Sequence, residues 1–247
     1  MDSGDCVLLE NYDEDGKKHY GLIDAGINTF QGFNMSAFLS NHGVNIGDKL
    51  DFFLITHCHG DHVGKAWTVL DRYEIDKLYV KEFDETFSSA GVQNYYEDII
   101  GKAINNNIKV IGVSSESLTN EMISPGQSAN FRNIINSKNQ TSDGINIIND
   151  NFEGFNQDNI VFSFGSSQIK LINWKMYYKD GTEYKSGTMP DKERLKISNE
   201  NSNSLGVLLN QGNKKVFLGG DLNNIDDGIG GAEDRVKYDI GKLTYLN

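Results

Sequence analysis

Short apolar runs alternate with polar segments along most of this chain. Apolar or alternating residues predict strands at Cys6–Glu10, Tyr20–Asp24, Leu50–Ile55 and Leu78–Val80, with a polar turn at Asn11–Lys18. Apolar residues near helical spacing predict helices at Val63–Tyr73 and Gly91–Asn105. Later strands are predicted at Ile108–Val113, Ile160–Phe164, Gln168–Asn173 and Leu205–Leu209, and in an apolar run that begins at Lys215. Strands mixed with helices in this order predict an α/β layered sandwich.

Length and composition favour one folded unit. The 247 residues are 38% hydrophobic and 11% aromatic, which is enough to bury a core, and no Pro-rich or Ser/Gly-rich linker divides them. We therefore expect a single domain over residues 1–247. Residues 114–159 are rich in Asn, Ser, Gly and Asp. This polar insertion is expected to be either a surface loop or a lid beside a functional site.

The overall charge narrows the possible function classes. A net charge of −12 argues against binding nucleic acid through its phosphates, because such binding needs a basic face. No apolar run approaches the roughly 20 residues that span a bilayer, and no signal peptide is predicted from the first residues. The two cysteines, Cys6 and Cys58, form no disulfide framework, so they leave the redox compartment open.

The strongest chemical signal lies directly after the apolar run Phe52-Phe53-Leu54-Ile55. Three of the chain's five histidines and one aspartate fall within Thr56-His57-Cys58-His59-Gly60-Asp61-His62. Imidazole and carboxylate are ligands that Zn²⁺ and Fe²⁺ prefer, and this spacing allows two pairs of ligands to face two ions about 3.5–4 Å apart. The first pair is His57 and His59, and the second is Asp61 and His62.

Two simpler interpretations accompany this loop. The loop as a whole could be a histidine-rich surface segment that binds no metal. Cys58 lies inside it, but neighbouring side chains in an extended segment point in opposite directions. We therefore interpret Cys58 as a small buried thiol rather than a ligand.

The HxHxDH pattern after a buried strand resembles the metallo-β-lactamase superfamily. The resemblance implies an αββα sandwich and hydrolysis at two zinc ions, with iron or manganese as alternatives. It implies that Asp24, in Ile23-Asp24-Ala25-Gly26, accepts hydrogen bonds behind the metal loop, although the segment could be only a turn. It also implies that Asp221, in Leu218-Gly219-Gly220-Asp221, bridges the two metals, with glycines that let the backbone approach.

A narrower resemblance covers nearly the whole chain except its middle. Several segments resemble the catalytic module of the phosphorylcholine esterases of bacterial choline-binding proteins. They are Asn201–Leu205, Gly212–Lys215, Leu218–Asn224, Gly231–Asp234 and Ile240–Lys242. Gly4-Asp5-Cys6 and the strand Leu78–Lys81 also resemble segments of competence-protein-type hydrolase domains. The resemblance implies that Asn203 and Ser204 lie near the metal loop, where they would contact a metal ligand or a phosphate oxygen; the alternative is a polar strand entry.

The chain also departs from this family. The family supplies further histidines beyond the Gly-Gly-Asp segment, whereas here no histidine follows His62 and the sequence ends at Asn247. Only Met1-Asp2-Ser3 precede Gly4, where the family has an opening strand. We therefore expect a fold truncated at both ends, with the remaining metal ligands beyond Asn247. Such a chain would bind metal weakly, be poorly soluble and show little activity until the downstream sequence is restored.

The combined expectation is a two-metal hydrolase that acts on a phosphodiester. His57, His59, Asp61, His62 and Asp221 would hold the ions, and Asp61 and Asp221 would also keep the attacking water in line. The expected substrate is a small-molecule or cell-wall phosphoester, with a choline-containing one as an option, and the resemblance favours an extracellular or cell-surface location. Two alternatives stay open: another hydrolase of the superfamily, such as a competence-type nuclease or a thioester or lactam hydrolase, and an inactive fragment.

Overall fold

Two five-stranded sheets lie face to face in the computed structural model of the chain, with helical residues outside each of them. The described residues are 4–28, 32–81, 90–113, 161–174, 201–222, 233, 236–237, 240–241 and 245–246. The polar insertion predicted at about 114–159 lies outside the described residues.

The first sheet combines a hairpin with a parallel core. Its strands, in spatial order, are β1 (Val7–Tyr12), β2 (Lys18–Ile23), β4 (Phe52–Ile55), β6 (Lys77–Lys81) and β7 (Lys109–Val113). β1 and β2 are antiparallel, whereas β2, β4, β6 and β7 pair in parallel. The C-terminal ends of β2, β4 and β6 therefore lie along one edge of the sheet. The short strands β3 (Lys49–Leu50) and β5 (Glu74–Ile75) pair separately.

Helices cover the outer face of the first sheet. They are α1 (Met35–Asn41), α2 (Gly60–Val63), α3 (Ala66–Arg72) and α4 (Ala90–Asn105). β4 is buried on both faces: Phe53 and Ile55 pack toward these helices, and Phe52 and Leu54 pack toward the second sheet. This division follows from the alternation of side chains along a strand, and it explains why the central parallel strand is apolar throughout.

The second sheet is mostly antiparallel. Its strands are β8 (Val161–Phe164), β9 (Ser167–Ile172), β10 (Gly206–Gln211), β11 (Lys214–Leu218) and β12 (Tyr245–Leu246), in the spatial order β12-β11-β10-β9-β8. A 3₁₀ helix, Asn201–Asn203, precedes β10. On the outer face, helical residues Val236 and Ile240 pack against Leu208 and Phe217. These helical residues form the fourth layer, so the predicted αββα sandwich is confirmed.

The strand predictions agree with the structure except at some ends and at Leu50–Ile55, where Leu50 belongs to the separately paired strand β3 and β4 begins at Phe52. The polar turn predicted at Asn11–Lys18 is shorter, because β1 extends to Tyr12 and β2 begins at Lys18. Asn11 is buried, and its Nδ2 donates to Phe164 O and to Ser167 Oγ, each at 2.7 Å. The first residue of the predicted turn therefore joins the two sheets.

The helix predicted at Val63–Tyr73 is interrupted, and that prediction was wrong in this respect. α2 ends at Val63 and α3 begins at Ala66. Between them, Gly64 N donates to Gly26 O at 2.7 Å and Lys65 N donates to Ala25 O at 3.3 Å. These two amides bond to the turn after β2, which ties the histidine loop to that turn. α1 was not predicted, because its seven residues carry only a short apolar pattern.

His19 gives the fold a pH-dependent contact. Its Nδ1 lies 2.6 Å from Asp51 Oδ2, and its Nε2 lies 3.2 Å from Asp13 Oδ2. Burial lowers the pKa of His19, but the hydrogen bonds to both carboxylates outweigh burial and raise it above its ordinary value. The stabilisation is therefore complete below the unfolded-state pKa of about 6.5 and is lost as pH rises through the folded-state pKa.

We predict that His19→Gln lowers the free energy of unfolding by up to about 1 kcal/mol near pH 5.5 and by less near pH 8.5. Urea unfolding at the two pH values measures this difference. His42→Gln is the control, because His42 is exposed and its Nδ1 contacts only a carbonyl of its own helix, Phe38 O, among the contacts described. A loss for His19→Gln that does not change with pH would contradict the prediction.

Candidate metal centre

The histidine loop begins where β4 ends, at the centre of the first sheet. β2 ends beside it, and Asp24 N donates to Leu54 O at 2.8 Å. The second sheet reaches the same edge, because Leu205 N donates to Thr56 O, also at 2.8 Å. Segments from both sheets thus meet at the carboxyl end of a parallel strand, where ligands often bind in α/β folds.

A buried carboxylate organises this edge. Asp24 is 1% exposed and has a left-handed φ of 57°, which costs on the order of 1 kcal/mol or more for a residue with a Cβ. Its Oδ1 accepts from the backbone N of Thr56 at 2.8 Å. Its Oδ2 accepts from the Thr56 hydroxyl at 2.7 Å and from His62 Nδ1 at 2.8 Å. Burial raises the pKa of Asp24, whereas the donors on His62 and Thr56 favour its ionised form.

Thr56 connects Asp24 with a second histidine. Its hydroxyl has one proton, which it donates to Asp24, so it can only accept from His57, whose Nδ1 lies 3.1 Å away. This arrangement places the proton of His57 on Nδ1 and leaves a lone pair on Nε2. His62 uses its Nδ1 in the same way at Asp24. Both imidazoles therefore have Nε2 available for another partner.

Both Nε2 atoms face the side chain of Asp221. His62 Nε2 lies 3.2 Å from Asp221 Oδ1, and His57 Nε2 lies 3.9 Å from Asp221 Oδ2. Ligand atoms of the three residues all lie within 4.8 Å of one another. The two histidines are each 1% exposed, whereas the Asp221 side chain is 35% exposed. The group is thus buried on the histidine side and open to solvent on the aspartate side.

The two histidines differ in charge. Burial and the neighbouring charges of His62 and His59 hold the pKa of His57 well below its ordinary value. Burial also lowers the pKa of His62, but hydrogen bonds to Asp221 and Asp24 outweigh burial and raise it to about 10. The hydrogen bond from His62 lowers the pKa of Asp221. In the metal-free protein His62 is therefore the cation of the group, and a metal ion would compete with its proton.

A glycine lets Asp221 approach. Gly220 has φ 57°, and a Cβ there would lie 2.9 Å from Thr56 Oγ1 and 3.3 Å from Ser204 Cβ. Any larger residue would push the chain away from the end of β4. The close backbone approach expected from the Gly-Gly-Asp sequence is therefore present at Gly220.

His59 and Asp61 lie in the same loop but outside the compact group. His59 Nδ1 lies 3.1 Å from His57 Nε2. Asp61 is half-buried in the first turn of α2. Its backbone carbonyl packs against Gly4 so closely that a Cβ added at Gly4 would clash with it. Within the described residues, the compact group of side chains that could hold a metal ion consists of His57, His62 and Asp221. The assignment of His59 and Asp61 as ligands stays a prediction.

The segment before β10 supplies a further contact to the centre. Ser204 is fully buried, and its Oγ lies 3.2 Å from His57 Nδ1. Asn203 is buried in the 3₁₀ helix, and its functional role stays a prediction. Cys58 is fully buried within the core under the helices, as its interpretation as a buried thiol requires.

The donor set suits a divalent cation. Histidines that ligate metals commonly donate their other ring N–H to a carboxylate or another acceptor, which fixes the ring and its tautomer. His62 does this with Asp24, and His57 does it with the Thr56 hydroxyl. Two imidazole nitrogens and a carboxylate are also the ligands that zinc and iron prefer. His57, His62 and Asp221 are therefore the residues that would hold such an ion.

Thr56 belongs to the histidine motif, but no role was predicted for it from the sequence. The available signal was a hydroxyl directly before the first histidine. Its role depends on donating to Asp24, which lies 32 residues away in sequence. Asn173 and Lys81 were also missed as possible contributors to the site. They act through segments that only the folded chain brings together.

The family model of the metallo-β-lactamase superfamily matches residues 2–134, more than half of the chain. This span includes Asp24 and the histidine loop, and Asp221 lies beyond it. No curated protein matches the chain. No helix in the described residues is long and apolar enough to cross a membrane.

Three solved structures are similar to the chain. CmlA, a diiron β-hydroxylase from Streptomyces venezuelae, shares 15% identity with a TM-score of 0.47, over 100% of this chain and 33% of its own. A Cronobacter sakazakii metallo-β-lactamase with a HARLDQ motif shares 11% identity with a TM-score of 0.38, over 93% of this chain and 59% of its own. An archaeal metallo-β-lactamase superfamily protein from Sulfolobus tokodaii shares 15% identity with a TM-score of 0.29, over 87% and 62%. This chain thus spans less than two thirds of each.

We predict that His57→Ala, His59→Ala and His62→Ala each remove most of the bound metal, because each substitution deletes one imidazole of the loop. Metal content after zinc loading and dialysis, measured by mass spectrometry, checks this. His19→Ala and His42→Ala are the controls, since both histidines have partners outside the loop. Equal metal loss in all five variants would contradict the assignment.

A second prediction concerns Thr56→Val, which replaces the hydroxyl with a methyl of similar size. Asp24 loses a donor and His57 loses an acceptor, so the zinc affinity should fall about 10–100-fold. A competition titration with a chromophoric chelator measures the affinity. Thr68→Val in α3 makes the same chemical change away from the centre and should have no such effect. Unchanged zinc affinity in Thr56→Val would rule out this role for the hydroxyl.

Proposed function

This chain belongs to the metallo-β-lactamase superfamily, and we propose that it is a metal-dependent hydrolase that uses zinc to cleave a phosphodiester of the phosphorylcholine type. Its ligands are His57, His59, Asp61, His62 and Asp221, which would serve two ions. We further propose that residues 1–247 belong to a single hydrolase domain. This single-domain proposal is supported because His57 and His62 come after β4 of the first sheet, Asp221 comes after β11 of the second, and the three residues lie together.

One observation carries the proposal. The Nε2 atoms of His57 and His62 lie within 4 Å of the Asp221 carboxylate. Their Nδ1 atoms contact the Thr56 hydroxyl and the Asp24 carboxylate, respectively. Both Nε2 atoms thus face the Asp221 carboxylate, whose partly exposed side chain lies on the side from which a substrate could approach.

The chemistry follows from this arrangement. When bound, zinc ions lower the pKa of a water molecule toward about 7 and neutralise charge on a phosphoryl group. Asp24 and Thr56 place a proton on Nδ1 of each ring and direct Nε2 at the centre, where the Nε2 of His62 can bind an ion once it loses its own proton. Asp221 lies on the open side and would help to orient the attacking water, and Asp61 is proposed to share this role from the start of α2.

Charge and the segments around Asp221 both bear on the substrate class. The net charge of −12 disfavours a polyanionic nucleic acid substrate and accommodates a cationic group such as choline. The residues that resemble phosphorylcholine esterases include Ser204, which contacts His57, and Asp221, which contacts His62. A small-molecule or cell-wall phosphoester is therefore the substrate class that we propose.

The test compares substrates on one zinc-loaded preparation. We predict that p-nitrophenyl-phosphorylcholine is hydrolysed faster than nitrocefin or a thioester, and that Asp221→Asn lowers the rate at least 100-fold because it removes a charged group at the reacting centre. Asp71→Asn, at an exposed position of α3, is the control for the loss of one negative charge. Faster hydrolysis of nitrocefin would replace the phosphodiester assignment with a lactamase one.

A further inference from the structure

A buried asparagine lies where the second sheet meets the histidine loop. Asn173 follows β9, is 6% exposed and has a left-handed φ of 55°. Its Nδ2 donates to Ser202 O at 3.0 Å and to Ser204 O at 2.9 Å. Both protons of one side-chain amide thus bind the backbone of the segment that leads into β10. An asparagine can adopt a left-handed φ in a turn without these two hydrogen bonds. The bonds to a distant segment therefore indicate a role beyond the turn itself.

Lys81 supports Asn173 from the first sheet. Lys81 ends β6, is 2% exposed, and its Nζ donates to Asn173 O at 2.6 Å. β6 pairs with β4 so that Val80 lies opposite Ile55, which places Lys81 beside the start of the histidine loop. A charge-assisted hydrogen bond in a buried position is stronger than a neutral one. The contact joins the two sheets at the edge that carries the candidate metal centre.

The segment held by Asn173 contacts the centre at three points. Ser204 Oγ lies 3.2 Å from His57 Nδ1, and Leu205 N donates to Thr56 O. Ser204 Cβ also limits the space at Gly220, which precedes Asp221. A shift of Ser204 would therefore change the environment of His57 and the approach of Asp221 together.

We propose that Asn173, supported by Lys81, is a positioning residue for the metal centre. It fixes the carbonyls of Ser202 and Ser204 and thereby holds the Ser204 hydroxyl against His57. This inference rests on the proposed function for its effect on metal binding. Its effect on the His57 ring is a property of the metal-free chain and is independent of that function.

The test uses glycine, because glycine adopts positive φ without strain and removes the side-chain amide. Asn107→Gly is the matched control: Asn107 has φ 57° in an exposed turn after α4, so the substitution has the same backbone consequence away from the centre. The readouts are the ¹⁵N chemical shifts of the His57 ring in metal-free protein and the zinc affinity by chelator competition.

We expect Asn173→Gly to shift the His57 ring signals toward a mixture of tautomers and to lower zinc affinity about 10-fold or more. Asn107→Gly should change neither. Unchanged His57 signals in Asn173→Gly would overturn the proposal, even if zinc affinity falls, because such a fall would reflect only a general loss of stability. If the unmodified protein binds no zinc, the proposed function fails, and the His57 signals still decide the positioning role.

Two further variants keep the test decisive if Asn173→Gly does not fold. Ser204→Ala removes only the hydroxyl that contacts His57, and Lys81→Met keeps an unbranched side chain that is one atom shorter while removing its charge and its donor. Both should shift the His57 signals in the same direction as Asn173→Gly. Lys77→Met, at the opposite end of β6, is the control for Lys81→Met. Wild-type His57 signals in Ser204→Ala and Lys81→Met would also overturn the proposal.

Discussion

The buried carboxylate of Asp24 is the interaction on which the candidate centre depends. Removing a carboxylate from water costs several kcal/mol unless donors replace the lost hydration, and Thr56 and His62 provide three. Because Thr56 uses its proton at Asp24, the same carboxylate also determines how His57 is protonated. One side chain thus places a proton on Nδ1 of both imidazoles, and both Nε2 atoms face Asp221.

The geometry of the candidate centre depends on both sheets of the sandwich. His57 and His62 follow a strand of the first sheet, while Ser204 and Asp221 flank strands of the second. The distance between the two sheets is set by the core between them, where Phe52 and Leu54 pack with residues of β9 and β10. Core packing and site geometry are therefore coupled, since a change in sheet separation would move Asp221 relative to His62. Asn11 and Lys81 add polar contacts between the sheets at two separate places.

Local patterns predicted the parts of the structure that depend on local sequence. The strand before the histidine loop, the loop itself and the Gly-Gly-Asp approach are each visible within a few residues. The break between α2 and α3 was missed, because Gly64 and Lys65 bond to a turn far away in sequence. The role of Asn173 was missed for the same reason: its partners lie about 30 residues further along the chain. A left-handed φ at an asparagine is also not specified by periodicity.

The ion pair between His62 and Asp221 explains how the centre can keep its shape without a metal. Their atoms are 3.2 Å apart, and the proton on His62 supplies the positive charge that lies between Asp24 and Asp221. A divalent cation held by His57, His62 and Asp221 would compete with that proton for His62 Nε2. Metal binding would then release a proton and depend on pH, and it would favour the folded chain, because only folding brings the two ligand segments together. The buried network thus prepares the site for a cation, because Asp24 and Thr56 hold both rings with Nε2 directed at Asp221.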